Sequence, residues 1–77
     1  MNLLKNYADQ VKSISEGMRS GELSMEKGAV RLRSLALLVE QDAATIDDEE
    51  YRGRLNKMAD MIYAVVEKMD PQRRVIQ

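Results

Sequence analysis

Carboxylates are the residue type in this sequence best suited to acid–base or metal chemistry, and four of them stand together at residues 47–50. A calcium-binding EF-hand loop needs aspartates at alternate positions and a glycine near its centre, and this segment has neither. We interpret the run as the acidic first turn of a helix, where negative charge complements the helix dipole. An acidic docking patch is the alternative interpretation.

Other catalytic arrangements require residue types that this sequence does not contain. The chain contains neither cysteine nor histidine, so the usual nucleophile–base pairs and the usual zinc and haem ligand sets cannot be built. Paired carboxylates need a cleft, which short helices rarely enclose. No strand is predicted that could lead into a glycine-rich phosphate loop. We therefore predict no enzyme, no catalytic or metal-binding residue, and no cofactor.

A small basic cluster gives the nucleic-acid alternative. Lys27, Arg31 and Arg33 lie close together in the sequence and could contact phosphates in a dimeric accessory protein. Against this, 12 basic and 13 acidic residues give a net charge of −1, whereas nucleic-acid binders carry a basic excess. The helices are also too long and too regularly amphipathic for a helix-turn-helix. We expect solvated, mutually screened charges and disfavour nucleic acid as a partner.

The elements that position these residues are three amphipathic segments joined by short polar turns. Their apolar spacing predicts helices over residues 2–19, 24–44 and 48–69. Asn2 and Ser24 are expected N-caps, and Asp47 or Thr45 begins the third helix. Short connections favour antiparallel neighbours. The sequence thus predicts an all-α, three-helix antiparallel bundle with one domain over 1–70 and a short flexible tail at 71–77.

The central helix organises the bundle because it is apolar on more than one side. One stripe follows alternating steps of three and four residues and alternates small with large: Met25, Ala29, Leu32, Ala36, Val39, Ala43 and Ile46. Leu35 and Leu38 widen this stripe. Gly28 and the alanines predict close approach of a neighbouring backbone. Val30 and Leu37 lie roughly 120–160° away from the stripe at 3.6 residues per turn.

The outer two helices carry one stripe each. The first helix has Leu4, Tyr7, Val11, Ile14 and Met18. The third has Tyr51, Leu55, Met58, Ile62, Val65 and Met69, broadened by Ala59 and Val66 on one side and Met61 on the other. We predict that both stripes pack on the central helix.

Size and exposed apolar positions together suggest function. A chain of 77 residues buries only about 60% of its unfolded surface, so self-association, most simply a two-fold homodimer, would stabilise it. We predict a protein–protein interaction module that binds stoichiometrically through Val30, Arg33 and Leu37, with Tyr51 and Tyr63 as aromatic anchors. A phage- or bacterium-encoded regulator or inhibitor of a larger protein fits this size class. A purely structural oligomerisation element is a further alternative.

The expected compartment is the cytoplasm. The first residues lack the basic start and long apolar run of a signal peptide. No apolar run approaches the ~20 residues that span a bilayer. We therefore expect a protein without a membrane segment.

Overall fold

A computed structural model describes residues 2–69 and confirms the predicted all-α, three-helix bundle. Three helices follow one another, α1 over Leu3–Ser20, α2 over Met25–Ala44 and α3 over Glu49–Met69, and this part of the chain has no strand. The middle helix α2 packs against both α1 and α3. Each helix begins one residue later than predicted. The predicted tail at 71–77 lies outside the described residues.

Side-chain caps explain where the first two helices begin. The Asn2 side chain accepts a 3.1 Å hydrogen bond from the Lys5 backbone N–H, and the Ser24 hydroxyl accepts one of 3.1 Å from Lys27. Each cap satisfies a backbone donor that has no partner inside its helix. Both predicted caps are therefore confirmed.

The cap of the third helix is Asp48, so the predictions of Asp47 and Thr45 are wrong. The Asp48 carboxylate accepts hydrogen bonds from the backbone N–H of Glu50 at 3.0 Å and of Tyr51 at 3.4 Å. Thr45 instead closes α2, because its N–H and its hydroxyl both donate to the Asp42 carbonyl oxygen. With Thr45 held at the end of α2, Asp48 is the acidic residue placed to accept from the first turn of α3.

Gly21 ends α1 in the left-handed conformation, with φ of +88°. Its N–H donates to the Met18 carbonyl at 3.3 Å, and the Leu23 N–H donates to the Gly17 carbonyl at 3.0 Å. This pattern satisfies the last carbonyls of the helix and needs a residue without a Cβ at the positive φ. The chain reverses here and leads directly into α2.

Most of the core belongs to α2. Its buried residues include the three alanines of the predicted stripe, and the full set is Gly28, Ala29, Leu32, Leu35, Ala36, Val39 and Ala43. Two predicted members are exposed, Met25 at 56% and Leu38 at 51%, and Ile46, which follows the end of α2, is half-buried. Met25 is the first residue of α2, and Leu38 lines a shallow pocket between α2 and α1 rather than the core.

The buried stripe of α3 is rotated relative to the prediction. Leu55, Ala59, Ile62 and Val66 are its buried residues, whereas Val65 is 46% exposed and Val66 only 3%. Adjacent helix positions differ by about 100°. The rotation follows from the packing, because α3 lies mainly against α2 rather than between two helices.

The three helices form a broad, thin layer, with overall dimensions of 38 × 32 × 13 Å. The first turn of α1 is tied to α3, since the Leu3 N–H donates a 2.9 Å hydrogen bond to the Tyr51 hydroxyl. Beyond this point α1 and α3 have few contacts with each other. The layer therefore presents two faces, the exposed side of α2 and a groove between α1 and α3.

Candidate functional site

One titratable side chain lies in the buried interior of the part of the chain that the structure describes. Tyr7 is the buried titratable side chain there, and its hydroxyl donates to the Asp42 carboxylate. Burial, the hydrogen bond to Asp42 and the negative charge of that carboxylate raise the pKa of Tyr7 to about 12. This interaction joins α1 to α2. Residues 2–69 contain no group of three or more potential metal ligands.

The first candidate binding surface is the exposed side of α2, which we name the α2 outer face. Helical spacing places seven residues there, opposite the core stripe: Lys27, Val30, Arg31, Ser34, Leu37, Leu38 and Gln41. All are exposed. Val30 is 55% and Leu37 50% exposed, so the structure places both predicted residues at the surface.

Two other predicted residues lie along the edge of α2 nearest α3. Arg33 is half-buried and precedes Leu37 by four residues, one helical turn. The Tyr63 hydroxyl of α3 donates a 3.2 Å hydrogen bond to Glu40, three residues beyond Leu37. The structure therefore brings Val30, Arg33, Leu37 and Tyr63 to one side of the α2–α3 pair.

Tyr51 lies elsewhere. Its ring packs against the core, and its hydroxyl accepts hydrogen bonds from the backbone N–H of Leu3 at 2.9 Å and of Leu4 at 3.4 Å. These bonds satisfy two donors at the start of α1, which have no acceptor inside the helix. Tyr51 thus positions α1 against α3, and its predicted role as an aromatic anchor stays a prediction.

The residues of the nucleic-acid alternative do not form one patch. Lys27 and Arg31 are one turn apart on the α2 outer face. Arg33 is two positions further along, about 160° around the helix from Arg31, on the edge near Tyr63. Lys27 and Arg31 therefore share one side of α2, and Arg33 lies on another.

The second candidate surface, which sequence reasoning missed, is the α1–α3 groove. It encloses about 280 Å³. Its floor is Leu32 of α2, and its walls are Ala8, Val11 and Ser15 on one side and Met58, Met61, Ile62 and Val65 on the other. Met61 is 62% exposed. In the sequence, the apolar residues that flank the predicted stripe of the third helix were the available signal for this groove.

A charged pocket lies at the start of α3. It encloses about 200 Å³ and is lined by Asp48, Glu50, Tyr51 and Arg54. Arg54 and Glu50 form a 3.1 Å ion pair across one turn, with both side chains exposed. Asp48 is occupied in capping α3. The acidic run at 47–50 thus serves the helix start, as its first interpretation predicted.

Comparison with known proteins does not assign the chain to a family. No protein-family model matches the chain, and no curated protein or solved structure matches it significantly. Among residues 2–69, none of the helices combines the length and the apolar character needed to cross a bilayer.

Proposed function

We propose that this protein is a non-enzymatic protein–protein interaction module that works as a homodimer joined through the α2 outer face. The observation that supports this is the exposure of Val30, Leu37 and Leu38 on one side of the central helix. Isolated exposed apolar residues are ordinary, but a contiguous set on the face of a rigid element is typical of an interface. A shallow pocket of about 360 Å³ beside them, against α1, extends this surface.

The spacing of the α2 outer face suits an antiparallel pair of α2 helices. Ser34 is at its middle, with Val30 four residues before it and Leu38 four residues after. A two-fold axis at Ser34 sets Val30 of one copy against Leu38 of the other. The small side chain of Ser34 at the crossing permits close helix approach, and interaxial distances depend on the residues at the contact. The same axis sets Arg31 of one copy against Leu37 of the other, where the aliphatic part of the arginine side chain can pack on the leucine. The face can therefore pair with a second copy of itself, as a two-fold interface requires.

Charge also favours the antiparallel arrangement. Lys27 and Gln41 are each seven residues from Ser34, so the axis places Lys27 of one copy opposite the uncharged Gln41 of the other. A parallel pair would instead set Lys27 against Lys27 and Arg31 against Arg31, and like charges across an interface are repulsive.

The seven residues of the α2 outer face are fewer than a standard interface uses, since each partner buries roughly 800 Å² there. Neighbouring surface of the layer, which measures 38 by 32 Å across, would have to contribute to the contact. Pairing two such layers would add a second layer over the exposed side of α2, which relieves the marginal stability of a short chain.

In the cell, the dimer would act by stoichiometric binding, as a cytoplasmic regulator or inhibitor of a larger protein. The support for this role is the small size of the chain, 77 residues, and the exposed apolar residues of α2. Phage and bacterial proteins of this size commonly act in this way, and we place this chain among them as a proposal.

Light scattering of the full chain tests the dimer. We expect twice the 8.8 kDa chain mass for the natural protein and the monomer mass for Leu38→Asp, because the new carboxylate would face Val30 of the other copy and each dimer would bury two unpaired carboxylates. Met61→Asp is the matched control, since it places the same charge on α3 at a position with 62% exposure, against 51% for Leu38. A natural protein that is monomeric at all concentrations, or a Leu38→Asp variant that stays dimeric, would contradict the proposal. Far-UV circular dichroism checks that both variants are helical.

A further inference from the structure

We propose that the α1–α3 groove binds an amphipathic helix of another protein, one whose apolar stripe is flanked by acidic residues. This inference rests on the proposed function, because it names the kind of partner that an interaction module of this shape would take. The groove lies on the opposite side of α2 from the α2 outer face. A dimer would therefore leave both of its grooves open to partners.

The form of the groove suits apolar side chains presented by a helix. It is concave, since buried Leu32 forms its floor and α1 and α3 rise on either side. Its walls are almost entirely apolar, and Ser15 supplies the one polar side chain. Met58 and Met61 on the α3 wall are flexible and can adapt to the shape of an incoming side chain. Helix-in-groove binding uses such surfaces, with anchors spaced three and four residues apart.

The α1 wall continues directly into basic residues. Lys5, Lys12 and Arg19 alternate with the groove residues Ala8 and Ser15 at steps of three and four, so all five share one stripe of α1. All three cations are exposed. The acidic residues Asp9 and Glu16 lie on the next stripe outward, away from the groove.

The α3 wall repeats this pattern. Arg54 and Lys68 bracket Met58, Met61 and Val65 at steps of four, three, four and three. Both cations are exposed. Of the five basic residues on the two walls, Arg54 alone has an ion-pair partner within residues 2–69, namely Glu50 at 3.1 Å. The groove of a protein with net charge −1 is thus bordered by cations on both sides.

This charge distribution selects among the possible occupants. A second copy would bring like charges together, because its groove borders and the first half of its α2 outer face are also basic. An anionic membrane is flat and would contact the basic borders without reaching the Leu32 floor. A helix with acidic flanks satisfies both features, since its apolar stripe fills the groove while its carboxylates meet the lysines and arginines.

Peptide binding to the full-length chain, measured by fluorescence anisotropy, tests the proposal. The probe is a labelled helical peptide of about five turns, roughly 18 residues, with one leucine stripe flanked by glutamates. The comparison peptide has lysines in place of the glutamates. At about 0.1 M salt, where the Debye length is ~10 Å, we expect the glutamate peptide to bind at least tenfold more tightly, and its advantage to shrink as salt rises.

Two exposed positions provide matched variants. Met61→Asp places a negative charge on the groove wall and should weaken binding of the glutamate peptide at least tenfold, whereas Met25→Asp, at a similarly exposed methionine outside the groove, should leave binding unchanged. Equal affinity for the two peptides, no binding of either, or equal loss in the two variants would overturn the proposal. Binding to phosphatidylserine vesicles that Met61→Asp abolishes, without peptide binding, would assign the groove to a membrane and overturn it too.

The same variants separate this inference from the dimer. Leu38→Asp should lose the dimer mass and keep the affinity for the glutamate peptide. Met61→Asp should keep the dimer mass and lose affinity for the glutamate peptide. Failure of the peptide measurement with an intact dimer would reject the groove proposal alone, and a monomeric natural chain that still binds the peptide would reject the dimer alone.

Discussion

Replacing Gly28 by alanine tests the contact that Met18 of α1 makes with α2. A Cβ added at Gly28 would lie 2.2 Å from the Sδ atom of Met18 and 2.7 Å from its Cγ atom. Neither distance is physically possible, so the Met18 side chain would have to move. We had expected a neighbouring backbone against Gly28, but the structure shows a side chain there.

The expected effect follows from two opposed terms. Alanine in place of glycine inside a helix stabilises by about 1 kcal/mol. Met18 is half-buried, and since full burial of a methionine contributes ~1.5–3 kcal/mol, displacing it should cost about 1 kcal/mol. The net change in the free energy of unfolding for Gly28→Ala should therefore be near zero.

Gly53 provides a matched control in the same protein. It lies inside α3, is exposed, and an added Cβ would have no atom within 4 Å. Gly53→Ala should therefore show the whole helix-propensity gain, about 1 kcal/mol. Urea denaturation at one fixed protein concentration measures both variants and avoids any effect of association on stability.

A double-mutant cycle isolates the contact. With Met18→Ala in the background, Gly28→Ala should stabilise by about 1 kcal/mol, because nothing then opposes the added methyl group. A Gly28→Ala variant that stabilises the natural chain as much as Gly53→Ala does would refute the described packing of Met18 against α2.

Two further predictions concern the α1–α2 connection. The pKa of Tyr7 is raised above its ordinary value of 10.0 to about 12, so folding favours the protonated phenol. The contribution of Tyr7 to the free energy of unfolding should therefore be constant below pH 10 and disappear as pH rises from 10 to about 12. The difference in unfolding free energy between the natural chain and Tyr7→Phe, measured by urea denaturation, should narrow over that interval, and a difference independent of pH would contradict this. Gly21→Ala should destabilise by about 1–2 kcal/mol because a Cβ is strained at φ +88°; the melting temperature should fall by roughly 4–8 °C per kcal/mol, and an unchanged melting temperature would contradict the left-handed cap.

The helices and the core of α2 could be predicted from the sequence because they depend on local spacing. Ala29, Ala36 and Ala43 are all buried, as their seven-residue repeat predicted. Periodicity defines a stripe but not the exact angle at which a neighbour covers it. That angle depends on how the helices are arranged, which is why Val66 rather than Val65 is buried in α3.

The binding surfaces could be predicted only in part. Val30 and Leu37 were identified because they lie off the main stripe of α2, and their exposure follows from the thin layer that the helices form. The α1–α3 groove depends on the separation of two helices that are distant in sequence. No local sequence pattern encodes that separation. The apolar residue Met61 beside the α3 stripe was a sequence indication of an apolar surface there.

Disulfide cross-linking of Ser34→Cys tests the central claim, that two copies meet antiparallel across the α2 outer face. The natural chain has no cysteine, so one introduced thiol reports on one position. At an interaxial distance of about 8 Å, helix backbones of radius ~2.3 Å bring the two Cα atoms at the axis within the ~7 Å limit for a disulfide. We predict rapid formation of a covalent dimer for Ser34→Cys and slow formation for the exposed control Ser20→Cys. Equal rates for the two variants, or a Ser34→Cys chain that stays monomeric under mild oxidation, would contradict the account.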